Sequence, residues 1–296
     1  MTAIGLETAA AKASEPPDDR PWRRALRRLL RRHGAMLGLA VVVFFVLVAV
    51  FAPLIAPYDA IATDWGAVRK PPSLAHWFGT DEIGRDVLSR VIYGARASLL
   101  AGVVSVSISI ACGVPIGLIS GYVGGFLDGL LMRIVDVMLA CPFLILAIAL
   151  AAFLGPNLTN AMIAIGISAM PAFVRLARAQ TLATKVEDYV EAACAVGNPH
   201  HRILLRHILP NILAPIMVQA TLAIALAIIA EARLSFLGLG QQPPAPSWGS
   251  MLNTAKNFLD QAPWMAWWPG LAIFVVVLSF NLLGDGLRDA LDPKQR

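Results

Sequence analysis

The sequence predicts an all-α, polytopic membrane protein with six transmembrane helices. Hydrophobic residues make up 57% of the chain and charged residues only 15%, whereas soluble domains average roughly 45–50% and about 25%. A helix that crosses a bilayer needs about 20 consecutive apolar residues. With His taken as neutral, five uncharged runs exceed that length: 34–58, 97–127, 137–174, 207–230 and 261–284.

Four of these runs hold one span each, and the run 137–174 is too long for a single helix. Gly155-Pro156-Asn157, followed by Asn160, interrupts it and predicts two spans joined by a short turn. Six spans are therefore predicted, at 35–56, 98–121, 131–153, 159–178, 210–231 and 264–283.

The distribution of Lys and Arg predicts the orientation. Seventeen lie on the side of the N-terminal segment and seven on the other side, so the positive-inside rule places both termini in the cytosol. We expect residues 1–33 to form a basic, partly disordered cytosolic tail and residues 34–296 to form the membrane domain. Most of the net charge of +5 lies beside the first span, where it meets anionic lipid, so no nucleic-acid partner is predicted.

A polar segment, TKVEDYVEAACAVGNPHHRILLRHILPN, separates the fourth and fifth predicted spans at residues 184–211. Thr184 and Glu187 have the spacing of a capping box, and Glu187 with Asp188 supplies the negative charge that a helix N-terminus favours. Gly197 is placed where such a helix would end. The pattern predicts a first short helix in this segment.

A second short helix is predicted to follow at once, so that the two helices meet at a sharp corner. Asn198 is a good N-cap and Pro199 a good first helical residue, whereas Arg202, Arg206 and His207 favour the C-terminal end. The first helix carries small side chains that allow another protein to approach its backbone, which predicts a docking surface. These side chains are Ala192, Ala193, Cys194 and Ala195.

The segment resembles the cytoplasmic coupling loop of ABC importer permeases. The resemblance rests on Glu191-Ala192-Ala193, on Gly197 and on the run from His207 to Asn211. In that family the loop inserts into a groove on a separate ATPase, so the resemblance implies nucleotide-driven transport. The coupling residues that it implies are Glu191, Ala192, Ala193, Gly197, Asn198, Pro199, His207 and Pro210.

Two further segments resemble the subgroup of dipeptide, oligopeptide and nickel importers. One is GTDEIGRDVLSRVIYGARASL from Gly79 in the outer loop, which by its balanced charges alone would be a solvated loop. The other is EARLSFLGLG from Glu231. The short outer loop resembles the second permease of such systems. The implied partners are a homologous permease, two ABC ATPases, an extracytoplasmic binding protein and membrane lipid, in a bacterial inner membrane.

No nucleotide site is predicted in this chain. A P-loop requires Lys followed by Ser or Thr, and none of the five lysines has such a neighbour. ATP and Mg are therefore expected in the partner subunits, and no enzyme activity, catalytic residue or cofactor is predicted here. His200, His201 and His207 lack nearby carboxylates or thiolates in ligand spacing, so we expect a docking or charge role rather than a metal site.

Two acids, Asp136 and Glu231, fall within predicted spans, where a charge that faces lipid is costly. Each is a candidate residue of the translocation path, meeting water or a cationic group of the solute. The alternative for each is a structural hydrogen bond to a neighbouring helix, and Arg133 is the expected partner of Asp136.

A secondary transporter or channel would explain the hydropathy equally well. Secondary transporters tend to carry several intramembrane ionisable residues. A protein of this class would also leave the docking segment unexplained. A membrane-embedded enzyme is disfavoured because no metal or nucleophile constellation is present. The substrate stays open between dipeptides, oligopeptides, nickel complexes and glutathione.

Overall fold

Residues 27 and 29–291 are described by the computed structural model, and this part of the chain is helical without a β-strand. The predicted all-α class is confirmed. The helices are α1 (His33–Val50), α2 (Ala52–Ile55), α3 (Val87–Val123), α4 (Gly125–Ala140), α5 (Phe143–Leu154), α6 (Leu158–Lys185), α7 (Asp188–Ala195), α8 (His200–Phe236), α9 (Trp248–Ala255) and α10 (Trp264–Leu291), with 3-10 turns at Trp65–Ala67 and Lys256–Phe258.

Five of these helices, α1, α3, α6, α8 and α10, are long and apolar enough to cross a membrane. The prediction of one continuous helix over 131–153 is wrong. The chain there forms α4 and α5, which meet at an angle of 92° across Cys141 and Pro142. Pro142 lacks a backbone N–H and therefore cannot continue a helix without a break. The predicted turn is confirmed: α5 ends at Leu154 with Gly155 as its C-cap, and the Asn157 side chain caps α6.

Helices α3 and α6 pack along each other through a row of small residues. A Cβ atom at Gly117 would lie 2.3 Å from the carbonyl oxygen of Val174, so only glycine permits this approach. Ser109 donates a hydrogen bond from Oγ to the carbonyl oxygen of Gly166 at 2.7 Å. Such small-residue contacts are typical of helix pairs within membranes. The row repeats every fourth residue along α3, at Ser105, Ser109, Gly113, Gly117 and Gly121.

The start of α1, the end of α10 and the docking segment lie at the same end of the helix bundle. At the start of α1, Arg32 forms an ion pair with Asp289 of α10 at 2.5 Å. At the start of α8, His200 contacts Tyr122 at the end of α3, and the opposite ends of α3 and α8 meet at Ser98 and Glu231. The helices therefore alternate in direction as a multi-pass membrane protein requires.

The last part of the loop before α3, from Gly79 to Asp86, is compact, in contrast to the solvated loop that its balanced charges alone would indicate. Asp81 binds Arg85 at 2.6 Å and Arg90 at 3.4 Å, and all three side chains are buried. Arg85 also donates to Glu82 at 2.6 Å, and burial, followed by the charge of Asp81, raises the pKa of the Glu82 carboxyl. The balanced charges pair with one another, which allows the segment to be buried.

Candidate functional site

The predicted corner of the docking segment is present and is built around Gly197. The N–H of Gly197 donates to the carbonyl oxygen of Cys194 at 3.0 Å, and the N–H of Asn198 donates to that of Ala193 at 3.2 Å. These two bonds form a Schellman motif, which requires a left-handed residue between them. Gly197 supplies it with φ +77°.

Two capping predictions in this segment are wrong. Thr184 lies inside α6, and Glu187 is the N-cap of α7 without a side-chain hydrogen bond, so no capping box forms. Pro199, rather than Asn198, is the N-cap of α8. The Asn198 side chain instead donates from Nδ2 to the carbonyl oxygen of Ala193 at 3.1 Å, which reinforces the corner.

The outward face of α7 combines acidic and apolar side chains. Glu191 and Ala192 are exposed as predicted, but Ala193 is buried and packs inward, which corrects its assignment to the docking surface. Tyr189 is 43% exposed and Val196 is 78% exposed. Exposed apolar side chains rimmed by charges are typical of protein interaction sites. We therefore add Tyr189 and Val196 to the docking surface.

The second helix of the corner is longer than predicted, because it continues into the fifth span as α8. Arg202, Arg206 and His207 therefore lie near its start and not at a C-terminal end. The segment Ile203–Ile208 is π-helical, a conformation often found at functional sites. Pro210 is exposed, and Asn211 donates to the carbonyl oxygen of His207 at 2.6 Å.

Tyr122, at the end of α3, joins the corner to the spans. Its hydroxyl lies 2.8 Å from Nδ1 of His200 at the start of α8. Its carbonyl oxygen accepts a hydrogen bond at 2.7 Å from Nζ of Lys185, the last residue of α6. Three spans thus meet at one tyrosine beside the predicted docking surface.

Asp136 is half exposed and forms an ion pair with Arg175 of α6 at 2.6 Å. The prediction that Arg133 is the partner of Asp136 is therefore wrong. Sequence reasoning missed Arg175 because it considered only the acids within the predicted spans. The signal was available, since Arg175 lies inside the predicted fourth span and needs a partner or water for the same reason.

Glu231 is fully buried within this chain. Its carboxylate accepts hydrogen bonds from Ser98 at 3.1 Å and from Ser235 at 2.6 Å. Ser98 also accepts from the N–H of Trp248 at 3.3 Å, at the start of α9. The structural alternative, a hydrogen bond to a neighbouring helix, is what the geometry shows.

Residues 113–296 match the family described as the binding-protein-dependent transport system inner membrane component, and residues 20–72 match the N-terminal transmembrane domain of oligopeptide transport permease C. The first match covers more than half of the chain. This chain belongs to that family of membrane transport permeases. The predicted family is thereby confirmed, and the chain is a multi-pass membrane protein.

Curated relatives match along almost their entire length. The chain is 47% identical to the dipeptide transport system permease protein DppC of Alkalihalophilus pseudofirmus over 288 residues, which are 96% of this chain and 95% of that one. It is 52% identical to the glutathione transport system permease protein GsiD of Shigella flexneri over 275 residues, 93% and 91% of the two chains. These relatives give no support to the alternative of a secondary transporter or channel.

The fold is also similar to a solved one. The inward-facing MetNI methionine ABC transporter matches with a TM-score of 0.56 and 20% identity, over 69% of this chain and 96% of that one. At this identity the match shows the fold alone. Within 29–291, no group of three or more His, Cys, Asp or Glu side chains is arranged to hold a metal ion.

Proposed function

We propose that this permease forms half of the translocation path of an ATP-driven importer. Its partners are a homologous permease, two ABC ATPase subunits and an extracytoplasmic binding protein, in the inner membrane and surrounded by lipid. The observation that carries the proposal is the exposed α7 corner, which presents Glu191, Tyr189 and Val196 beside the junction of three spans. The proposed coupling residues are Tyr189, Val196 and the exposed members of the predicted set, which are Glu191, Ala192, Gly197, Pro199 and Pro210.

ATP and Mg bind in the ATPase partners, and this subunit supplies no catalytic residue. When the ATPases close around nucleotide, the docked α7 moves with them. Because Tyr122, Lys185 and His200 join the corner to α3, α6 and α8, the spans move as a group. Rocking of one subunit against its homologue then opens the path outward and inward in turn.

The proposed solute is a small peptide with free charged ends. Two relatives are named for dipeptide and glutathione transport, and both solutes carry an ammonium group and carboxylates. The outer-loop resemblance also implies nickel complexes, but these do not share the combination of an ammonium group and carboxylates. We therefore place this permease with importers of peptide-like zwitterions.

A charge reversal at Glu191 tests the docking role. Close charge pairs across an interface couple by about 1.5–7 kcal/mol, so Glu191→Arg is expected to weaken ATPase association while leaving the spans intact. Membrane insertion and co-purification of the ATPase after mild detergent extraction are the measurements. Asp260→Arg makes the same charge change at an exposed residue outside the docking segment, in the turn before α10, and serves as the control. Normal co-purification of the Glu191→Arg variant would remove the assigned role of the corner.

A further inference from the structure

Two ion pairs connect α4 to α6, and the pair nearer the docking end is largely shielded from its surroundings. Arg178 donates two hydrogen bonds to Asp128, at 2.6 and 2.7 Å. Ser120 of α3 adds a third at 2.5 Å. The Asp128 and Arg178 side chains are only 18% and 32% exposed. A shielded, bidentate pair with a third donor is a structural link between helices.

The second pair, Asp136 with Arg175, has a different geometry. One hydrogen bond of 2.6 Å joins the side chains, which are 52% and 55% exposed. Among the described residues neither side chain makes another hydrogen bond. Asp136 lies eight residues beyond Asp128, about 12 Å further along α4 and away from the docking end. Within the described part of the chain, this pair therefore has one hydrogen bond where the Asp128 pair has three.

Lipid is a poor neighbour for this open pair, because charged groups in the hydrocarbon region face protein or water. The backbone gives an independent indication. Directly after the pair, α4 ends and the chain turns by 92° at Cys141 and Pro142. Interrupted backbone at membrane depth is tolerated where it is buried in protein or lines a water-filled cavity. Val135 is the one buried residue of α4, so protein of this chain does not cover the break.

We propose that Asp136 and Arg175 form a polar station on the translocation path for the two charged ends of a zwitterionic, peptide-like solute. This inference rests on the proposed function. Asp136 accepts hydrogen bonds from the solute ammonium, and the planar Arg175 guanidinium binds the carboxylate. In the empty path the two side chains neutralise each other. When a solute with both charges binds, the ion pair between Asp136 and Arg175 is replaced by two ion pairs with the solute. Because the side chains pair again when the solute leaves, binding is weak enough to permit release.

Cysteine labelling tests whether the station faces water. Asp136→Cys, in a background without the three native cysteines, is expected to react with a membrane-impermeant, positively charged thiol reagent in the assembled transporter. Leu118→Cys, which is buried in α3, gives the unreactive baseline. An unreactive position 136 would overturn the inference, because the pair would then face lipid or a sealed interface.

Uptake into proteoliposomes tests the role of the charges. Asp136→Asn and Arg175→Gln are each expected to lower the initial uptake of radiolabelled alanyl-alanine about tenfold or more. The double variant should remain equally low, since both solute partners are gone. A merely structural pair would behave otherwise, because removing both charges leaves none unpaired. The matched pair Asp128→Asn and Arg178→Gln is expected to show that structural pattern, with the double variant recovering assembly.

Wild-type uptake by an Asp136→Asn, Arg175→Gln double variant would overturn the polar station. A wild-type transporter that assembles but imports neither alanyl-alanine nor glutathione would instead contradict the proposed solute class. In that case the labelling of position 136 still decides whether the pair faces water. Failure of the inference and failure of the proposed function are thus distinguished.

Discussion

Gly197 is held at φ +77° by the two hydrogen bonds of the Schellman motif, and a Cβ atom there would meet nothing within 4 Å. The constraint is therefore the backbone conformation and not the available space. Gly197→Val places a β-branched residue in the left-handed region, at a cost of about 1–2 kcal/mol or more. We expect the corner to distort, and ATPase co-purification to fall, with near-normal membrane insertion.

Gly197→Asn is the matched control for this prediction. Asn tolerates the left-handed conformation better than other residues with a side chain, so this variant is expected to retain most of the ATPase binding. Equal binding by the Val and Asn variants would show that the corner does not depend on its left-handed residue.

The two intramembrane acids show what a sequence cannot specify at the residue scale. Both were recognised as costly, but their environments differ completely. Glu231 is buried against Ser98, which is 133 residues away in the chain, whereas Asp136 is open and pairs with Arg175, 39 residues away. Local pattern identifies an acid that requires partners, and only the packing of helices determines which partners it receives.

At the scale of elements, the contact of α3 with α6 depends on the absence of side chains. Gly117→Ala would place a Cβ atom 2.3 Å from the carbonyl oxygen of Val174. Forcing extra volume into a packed contact costs about 1–3 kcal/mol, so the helices must separate. We expect a lower midpoint of thermal unfolding in detergent than that of the wild-type protein.

Gly129→Ala provides the comparison, because a Cβ atom at this residue of α4 meets nothing within 4 Å. Ala is favoured over Gly in a helix interior by about 1 kcal/mol, so this variant should unfold at an equal or slightly higher temperature. If both alanine variants lowered the midpoint equally, close approach at Gly117 would not be the cause.

The helical elements were predictable where polar residues interrupt an apolar run. Gly155 and Asn157 marked the break between α5 and α6 correctly. The bend at Cys141 and Pro142 was missed, because hydropathy is uniform across it. The capping box at Thr184 was wrong because a capping pattern is local, whereas α6 continues to Lys185, whose side chain contacts Tyr122. Tertiary contacts outweigh such local preferences.

For the whole molecule, the sequence predicted six spans, and the described part of the chain has five helices long enough to cross a membrane, or up to six spans if the bent pair α4 and α5 is counted as one. The structure also shows how the ends of these helices are arranged. The docking corner lies at the end of the bundle where Arg32 meets Asp289. The distribution of Lys and Arg and the position of the docking corner are independent observations, and both refer to the same end of the helix bundle. If the basic tail is cytosolic, the corner must be cytosolic as well.

Labelling of single cysteines in intact cells tests this orientation. In a background without native cysteines, we expect position 12 to be protected from an impermeant thiol reagent and position 64, in the outer loop, to react. Position 12 lies outside the described residues, so the native Cys194 on the exposed face of the docking corner is the more direct reporter. Restored alone, it should be protected in intact cells and react in inverted membrane vesicles.

The opposite pattern would be decisive against the proposed partners. Reactive Cys194 and protected position 64 in intact cells would place the corner outside, where no cytosolic ATPase reaches it. Because Tyr122 and His200 fix the corner to the ends of α3 and α8, no local rearrangement returns it to the cytosol without reversing these spans. The orientation of the whole bundle therefore determines whether the corner can couple the permease to ATP hydrolysis.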